Sequence, residues 1–260
     1  METPKNASIR GVADIVFLID ATGSMMPCIR AVRECVLGFV EGLEPGSGSD
    51  PLVRDWRVRV VGYRDRPDSE EDWIEEGPFV RSAELLREQL ARLEARGGGG
   101  EPESLLDALY HLARLPPEDP LSPRGDAAWR PRREAHRFIV VFTDATFHPT
   151  FRIPAAVGPS SLMQFEDVAD SVEEAGIWLH IFAPDFDCFQ PMSEIDRCKW
   201  HSIPLFVEAS TDSFESSSFD FSNLGAHALR RLVQDRTKFS DIMRALGKSI
   251  SQSSNACDPS

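Results

Sequence analysis

An α/β fold, with a doubly wound, mostly parallel central sheet flanked by helices, is predicted by three features of this 260-residue sequence. Short apolar runs at 14–20, 136–143 and 177–183 are hydrophobic on consecutive residues, so both of their faces are buried, as in parallel strands covered on both sides. Amphipathic stripes at helical spacing separate the runs. The two patterns alternate along the chain, which is the signature of βαβ units.

In chain order, Asp14-Ile-Val-Phe-Leu-Ile-Asp20 is the first predicted strand. A helix over 26–43 follows, with Ile29, Val32, Val36, Phe39, Val40 and Leu43 on one stripe. The partly alternating run 57–63 is the second strand. Leu85, Leu86, Leu90 and Leu93 mark a helix over 82–95, with Ser82 as its N-cap and Gly97 just beyond its end. Leu105, Leu106, Leu109 and Leu112 mark another over 102–115, with Pro102 at its first position and Pro116 stopping it. The clearest strand, 136–143, comes next. A helix over 161–175 carries Leu162, Phe165, Ala169 and Val172 on its apolar side and closes at Gly176. The strand 177–183 is followed by 203–207, which Pro204 confines to a sheet edge because proline donates nothing to a ladder. A last helical region covers 224–247.

No second core is visible. The organisation read from the sequence is an N-terminal extension over 1–10, one domain over 11–247, and a flexible Ser-rich tail over 248–260. Long loops fall at 44–55, 64–78, 116–135, 184–202 and 208–222; five prolines mark 116–135 as a surface excursion. The N-terminus lacks the apolar core of a secretory signal, and no stretch reaches the ~18 apolar residues that span a bilayer, so the expected setting is cytoplasmic. Five cysteines, an odd number, do not suggest a disulfide framework. Cys28 and Cys35 are two helical turns apart, roughly 10 Å, too far to bridge, and read as small buried hydrophobes. Cys188, Cys198 and His201 share a loop, but their irregular spacing and missing fourth ligand argue for free thiols over zinc.

Acid exceeds base by 42 residues to 28, a net charge of −14. That surplus excludes non-specific nucleic-acid binding and disfavours anionic membranes, since both need clustered lysine and arginine. It is also unevenly placed. Residues 65–76 carry seven acids against the single base Arg66, and most of the remaining acids of interest follow predicted strands or precede helices. The expected result is an acidic rim at the carboxyl edge of the sheet.

The chemistry concentrates at that edge. The first strand ends in Asp20-Ala-Thr22-Gly-Ser24, three oxygen side chains at alternate positions. One carboxylate with two hydroxyls suits a hard, six-coordinate ion such as Mg2+ or Mn2+. Ligands of doubly wound sheets bind outside the carboxyl ends of strands, where the strand order reverses. The strand 136–143 delivers Asp144 at its own carboxyl end. An aspartic-protease motif would need Thr-Gly directly after the Asp, where Ala21 intervenes; a haloacid-dehalogenase motif would need a second Asp where Thr22 stands.

Asp20, Thr22 and Ser24 match the Asp-x-[Ser/Thr]-x-Ser signature of the metal-ion-dependent adhesion site, and Thr143-Asp144 matches a later strand end of the same family. On these residues the sequence resembles the von Willebrand factor type A (vWA) domain, whose fold would account for about 11–247. The family's third-loop Thr is missing. In its place stands Gly97-Gly-Gly-Gly100-Glu101-Pro102-Glu103-Ser104, similar to a variant loop of intracellular members but with Gly100 where the variant has Asp. Glu103 is the first choice for the missing ligand, with Glu101 and Ser104 in reserve; the alternative is that these acids complement the helix dipole. Tyr63-Arg64-Asp65 also resembles intracellular vWA members and places Asp65 at the same edge. His148, four residues past Asp144, belongs to the rim by chain distance, and His180 reads as a satisfied strand histidine.

The resemblance implies a metal-dependent protein–protein interaction module, an adaptor or scaffold holding Mg2+ (or Mn2+ or Ca2+), and recognition rather than turnover. It further implies a component of a bacterial multi-protein system, with an AAA+ ATPase, kinase, phosphatase or protease as partner. If Asp20, Asp144 and Glu103 all lie close to one dication, the site keeps a net negative charge and attracts a partner's carboxylate poorly. Two other readings stand beside this one. A metal-dependent phosphoester hydrolase would use Asp20 and Asp144 to hold the ion and a nearby acid or His148 as base, but no nucleophile–base pair is evident, and the Gly97–Gly100 run lacks the lysine of a P-loop. A metal-free interaction domain would use the same fold. The segment 208–222, where Phe214, Phe219 and Phe221 interleave with Ser and acid, is a candidate docking surface, or else a loop that anchors its rings in the core.

Overall fold

The computed structural model describes residues 10–44, 53–66, 73–98, 100–116, 127–152, 162–205 and 223–255. Six strands form one sheet: β1 (Val12–Asp20), β2 (Asp55–Tyr63), β3 (Ile74–Glu76), β4 (His136–Phe142), and then β7 (Ile177–Pro184) and β8 (Cys198–Ile203), which follow the short hairpin β5 (Thr150–Arg152) and β6 (Leu162–Gln164). The order across the sheet is β3-β2-β1-β4-β7-β8. Every pairing is parallel except β2 with β3. The chain winds outward from β1 to β2 and β3, then returns to β4 on the other side of β1. The strand order therefore reverses between β1 and β4, where the register sets Ile19 opposite Phe142. Asp20 and Asp144 leave the sheet side by side at that switch point.

Alternation along β1 explains the layering. Ile15, Phe17 and Ile19 face one core, built with α1 (Met26–Leu43), α2 (Ala83–Arg92), α5 (Leu224–Gln234) and α6 (Arg236–Asn255). Val16 and Leu18 face the other, built with α3 (Leu105–Ala113) and α4 (Phe165–Glu174). All five are fully buried, as a doubly covered sheet requires. α1 and α6 cross closely: a Cβ on Gly42 would lie 2.2 Å from the Arg244 carbonyl oxygen, so only glycine permits that approach.

Several elements differ from the sequence expectation. The edge strand after β7 is Cys198–Ile203 rather than 203–207; Pro204 lies just past its end. Its half-exposed polar residues hide it from an apolar search. β3 lies within the expected loop 64–78, disguised by Glu75 and Glu76. α3 begins at Leu105, so Pro102 is outside the helix, because the chain around Glu103 is extended and pairs with Phe147. α4 begins at Phe165, and Leu162 is exposed on β6 rather than packed on a helical stripe. The region 224–247 is two helices: Asp235 turns extended between them and its Oδ1 accepts from the Lys238 N–H at 3.1 Å.

The expected tail from 248 is also corrected. α6 runs on to Asn255, with Ile250, Ser251 and Ser254 buried. Ser251 Oγ accepts from the Val53 N–H at 3.2 Å, and the Ser254 carbonyl accepts from the Gly11 N–H at 3.0 Å. Serine here docks the helix against the beginnings of β1 and β2. The segments 1–9, 117–126, 206–222 and 256–260, with the aromatic run at 214–221, lie outside the described residues.

At the amino end of the strands sits a buried ionic cluster that the apolar reading of 14–20 passed over. Asp14, fully buried, accepts from Arg57 Nε at 2.8 Å and Nη2 at 2.7 Å, and from Arg130 Nε at 2.7 Å and its backbone N–H at 2.8 Å. The Arg57 guanidinium also stacks 4.4 Å above the Phe79 ring. Two cations and four donors hold one carboxylate, which satisfies a charge that burial alone would not tolerate.

Candidate metal centre

β1 ends in Asp20, which is fully buried at the carboxyl edge of the sheet. The chain then turns through a short 3-10 turn, Gly23–Met25, into α1. That turn folds Thr22 back onto Asp20: Thr22 N–H and Oγ1 both donate to Asp20 Oδ1, at 2.9 and 2.7 Å. Ser24 is exposed, with its hydroxyl 3.3 Å from that of Thr22. From β4, Thr143 Oγ1 donates to Asp20 Oδ2 at 2.9 Å. Asp20 is thus oriented by three donors, while burial raises its carboxyl pKa above the ordinary value.

Asp144 is 4% exposed and its Oδ2 has no hydrogen-bond partner among the described residues. Burial, and then the Asp20 carboxylate, push its pKa up to about 7. α5 begins immediately beside it: a Cβ on Gly225 would lie 1.7 Å from the Asp144 carbonyl oxygen. No periodicity or motif in the sequence signals that contact.

Glu103 is brought to the same place by backbone pairing. Its N–H donates to the Thr146 carbonyl at 2.9 Å, and its carbonyl accepts from the His148 N–H at 3.1 Å. The loop before α3 is therefore stitched to the loop that follows Asp144. Glu103 is 3% exposed, and its Oε2 also lacks a partner among the described residues. Burial, Asp20 and Asp65 push its pKa up to about 8. Glu101 is turned aside at the mouth, its Oε2 accepting from Thr146 Oγ1 at 3.1 Å.

Asp65, Ser104 and His148 form a brace along the rim. Asp65 Oδ1 accepts from Ser104 Oγ at 3.1 Å and lies 2.9 Å from His148 Nε2. The Arg66 N–H donates to Ser104 Oγ at 2.9 Å. Ser104 and His148 thereby hold the loops after β2 and β4 against the one before α3. Asp68, Glu70, Glu71 and Asp72 of the expected acidic rim lie outside the described residues.

The result is an open cleft of about 550 Å3 with Thr22, Ser24, Glu101, Glu103, Asp144 and Phe186 in its walls. Among the described residues that line it there is no lysine or arginine. Nor do three Asp, Glu, His or Cys side chains anywhere among the described residues converge closely enough to chelate an ion unaided. The donor set is mixed instead: two buried carboxylate oxygens without hydrogen-bond partners, with hydroxyls beside them. Two buried carboxylates in one small cleft, each with an oxygen that no donor among the described residues satisfies, are costly unless a proton or a cation neutralises them, and oxygen donors of this kind fit a hard divalent ion.

Away from this cleft, His180 and His201 lie 3.2 Å apart through Nδ1 and Nε2, and burial lowers both to about 4. His201 stacks on Phe182 at 4.3 Å, so the pair is part of the packing of β7 and β8. Cys28 and Cys35 are buried and free, as read from their spacing. Cys188 and Cys198 are free as well, and their thiols are pushed up by burial. No helix among the described residues is long and apolar enough to cross a membrane.

Among solved structures the chain is similar to the pilus adhesin SpaC from Lactobacillus rhamnosus GG in its open conformation, at 15% identity and a TM-score of 0.46, over 89% of this chain and 30% of that one. It is similar to proximal thread matrix protein 1 from the mussel byssus at 15% identity and a TM-score of 0.46, over 89% of this chain and 50% of that one. It thus spans half or less of either neighbour's length. No curated protein matches it in sequence. The sequence profile of the von Willebrand factor type A domain matches residues 14–215, and with the six-stranded sheet and its switch-point cleft this places the chain in that family: it belongs to the vWA domains.

Proposed function

We propose that this vWA domain is a metal-dependent protein–protein interaction module. A divalent cation, Mg2+ or Mn2+ (or Ca2+), is held at the switch point by Asp20, Thr22, Ser24 and Asp144, with Glu103 in the place of the family's third-loop Thr. The observation that carries this reading is the pair of buried oxygens, Asp144 Oδ2 and Glu103 Oε2, without partners among the described residues, on two side chains of a cleft that Thr22 and Ser24 also line. The ion supplies the positive charge that lets both acids stay ionised; Thr143 and Thr22 hold Asp20 in orientation, and the Asp65–Ser104–His148 brace holds the surrounding loops. Glu101 remains at the mouth as a rim acid. The chain acts as an adaptor in a bacterial, cytoplasmic multi-protein system, with an ATPase, kinase, phosphatase or protease as partner and with neither nucleic acid nor membrane as target.

The test is co-purification from the native host in Mg2+ and in EDTA, with wild type and Asp20→Ala. A partner retained in Mg2+ and lost in both EDTA and the variant supports the reading. Retention regardless of ion and variant would favour the metal-free module, and Asp20-dependent turnover of a generic phosphoester in Mn2+ would favour a hydrolase.

A further inference from the structure

We propose that the group this cleft accepts from a partner is a basic side chain, an arginine or a lysine, and that it rejects a carboxylate. The proposal rests on the metal reading above for the charge of the occupied site. With an ion bound and its acids ionised, Glu103 and Asp144 in the cleft wall and Asp20 buried behind Thr22 would set three negative charges against one dication, and Glu101 in the same wall would add a fourth. The site is therefore still negative when the ion is bound. Nothing in the walls offsets this, because no lysine or arginine lines the cleft among the described residues. Arg64, the buried cation whose charge reaches Asp20, donates through Nη2 to Glu75 Oε2 at 2.9 Å and to the Glu94 carbonyl, and it does not line the cleft.

The acidic side chains alone would say little. The deciding observation is that Glu103 and Asp144, 3% and 4% exposed, each have a carboxylate oxygen that no donor among the described residues satisfies. These oxygens take up the ion's charge from inside the protein, as a partner's carboxylate would from outside. A partner carboxylate would be the fourth anion on one dication and would have to lie beside Glu101, with repulsion in a partly desolvated site. An ammonium or guanidinium meets the opposite field, and Phe186 adds an aromatic surface of the kind that receives a guanidinium.

The experiment follows backbone amide resonances of Gly97, Gly98 and Ala145 in the full chain. Mg2+ is titrated first, and the loaded protein is then titrated with two capped tripeptides, Gly-Arg-Gly and Gly-Glu-Gly. The arginine peptide is expected to shift these amides at a concentration about tenfold lower than the glutamate peptide, the effect of roughly one unit charge at close range. In Glu103→Thr the preference narrows or inverts, while Glu88→Gln, an exposed change on α2, leaves it unaltered. Equal or tighter binding of the glutamate peptide by wild type overturns the proposal, as does an arginine peptide that leaves these amides unmoved. Should Mg2+ leave the amides unmoved, the metal reading fails and takes this inference with it, whichever peptide binds; should Mg2+ bind and the glutamate peptide win, the inference alone fails.

Discussion

The hydroxyl of Thr143 donates to Oδ2 of Asp20 across 2.9 Å, joining β4 to β1 at the point where each delivers an acid. A buried carboxylate that loses one donor keeps its desolvation cost without the compensating bond. Thr143→Val keeps the shape and removes the hydroxyl. It is expected to lower stability by about 1–3 kcal/mol in urea unfolding. Mn2+ affinity should fall by about 10–100-fold, the usual effect of losing a group that orients a ligand. An unchanged Mn2+ affinity in a folded variant would mean that Thr143 does not set the orientation of Asp20.

The cleft acids give stability a pH dependence of defined sign. In the folded protein Asp144 is pushed up to about 7 and Glu103 to about 8, from ordinary values of 3.8 and 4.5. Between those limits the folded, ion-free protein binds protons that the unfolded chain has released. The contribution is fully present below about pH 4 and is lost as pH rises through 7 and then 8. In EDTA the unfolding midpoint should therefore fall between about pH 5.5 and about pH 8.5, and saturating Mg2+ should restore it most at the upper end, because binding displaces those protons. Asp144→Asn should flatten the slope. A midpoint that rises with pH in EDTA would count against the shared burial of these acids.

Stability and the site should also separate cleanly at the other end of β1. Asp14 lies six residues before Asp20, roughly 20 Å away along an extended strand. Asp14→Ala leaves Arg57 and Arg130 without their common carboxylate, and breaking a buried pair in this way costs about 3–5 kcal/mol. Chemical unfolding should register that loss, whereas Mn2+ affinity of the folded fraction should match wild type. A matching loss of ion affinity would show that the two ends of the strand are coupled.

What could be read from the sequence follows from how each element is buried. β1, β4 and β7 announce themselves because a strand covered on both faces must be apolar on consecutive residues, as Ile15 to Ile19 and Phe138 to Phe142 are. β3 and β8 are edge strands, so Glu75, Glu76, Lys199 and Ser202 are permitted there and the signal vanishes. The sequence pattern ends α6 at 247 because Ser251 and Ser254 look like tail residues, whereas the Ser251 hydroxyl and the Ser254 carbonyl dock the helix and the Ser254 hydroxyl bonds back to the Ser251 carbonyl. Of the cleft, Asp20, Thr22, Ser24 and Asp144 lie at strand ends that the apolar pattern already located. Glu103 is named from the resemblance of its loop, but what holds it there is a long-range pairing with the 146–148 loop, and the approach of Gly225 to Asp144 depends on α5, some 80 residues further on. Neither contact leaves a mark in local periodicity.

The central claim, that the switch-point cleft holds one divalent cation, is tested most directly by calorimetric titration of Mg2+ and Mn2+ into wild type and Asp20→Ala. The account predicts one ion per chain, with release of protons near neutral pH, a raised unfolding midpoint in wild type, and loss of both effects in the variant. Neither heat nor stabilisation from either ion in wild type would contradict it and leave a metal-free vWA interaction domain.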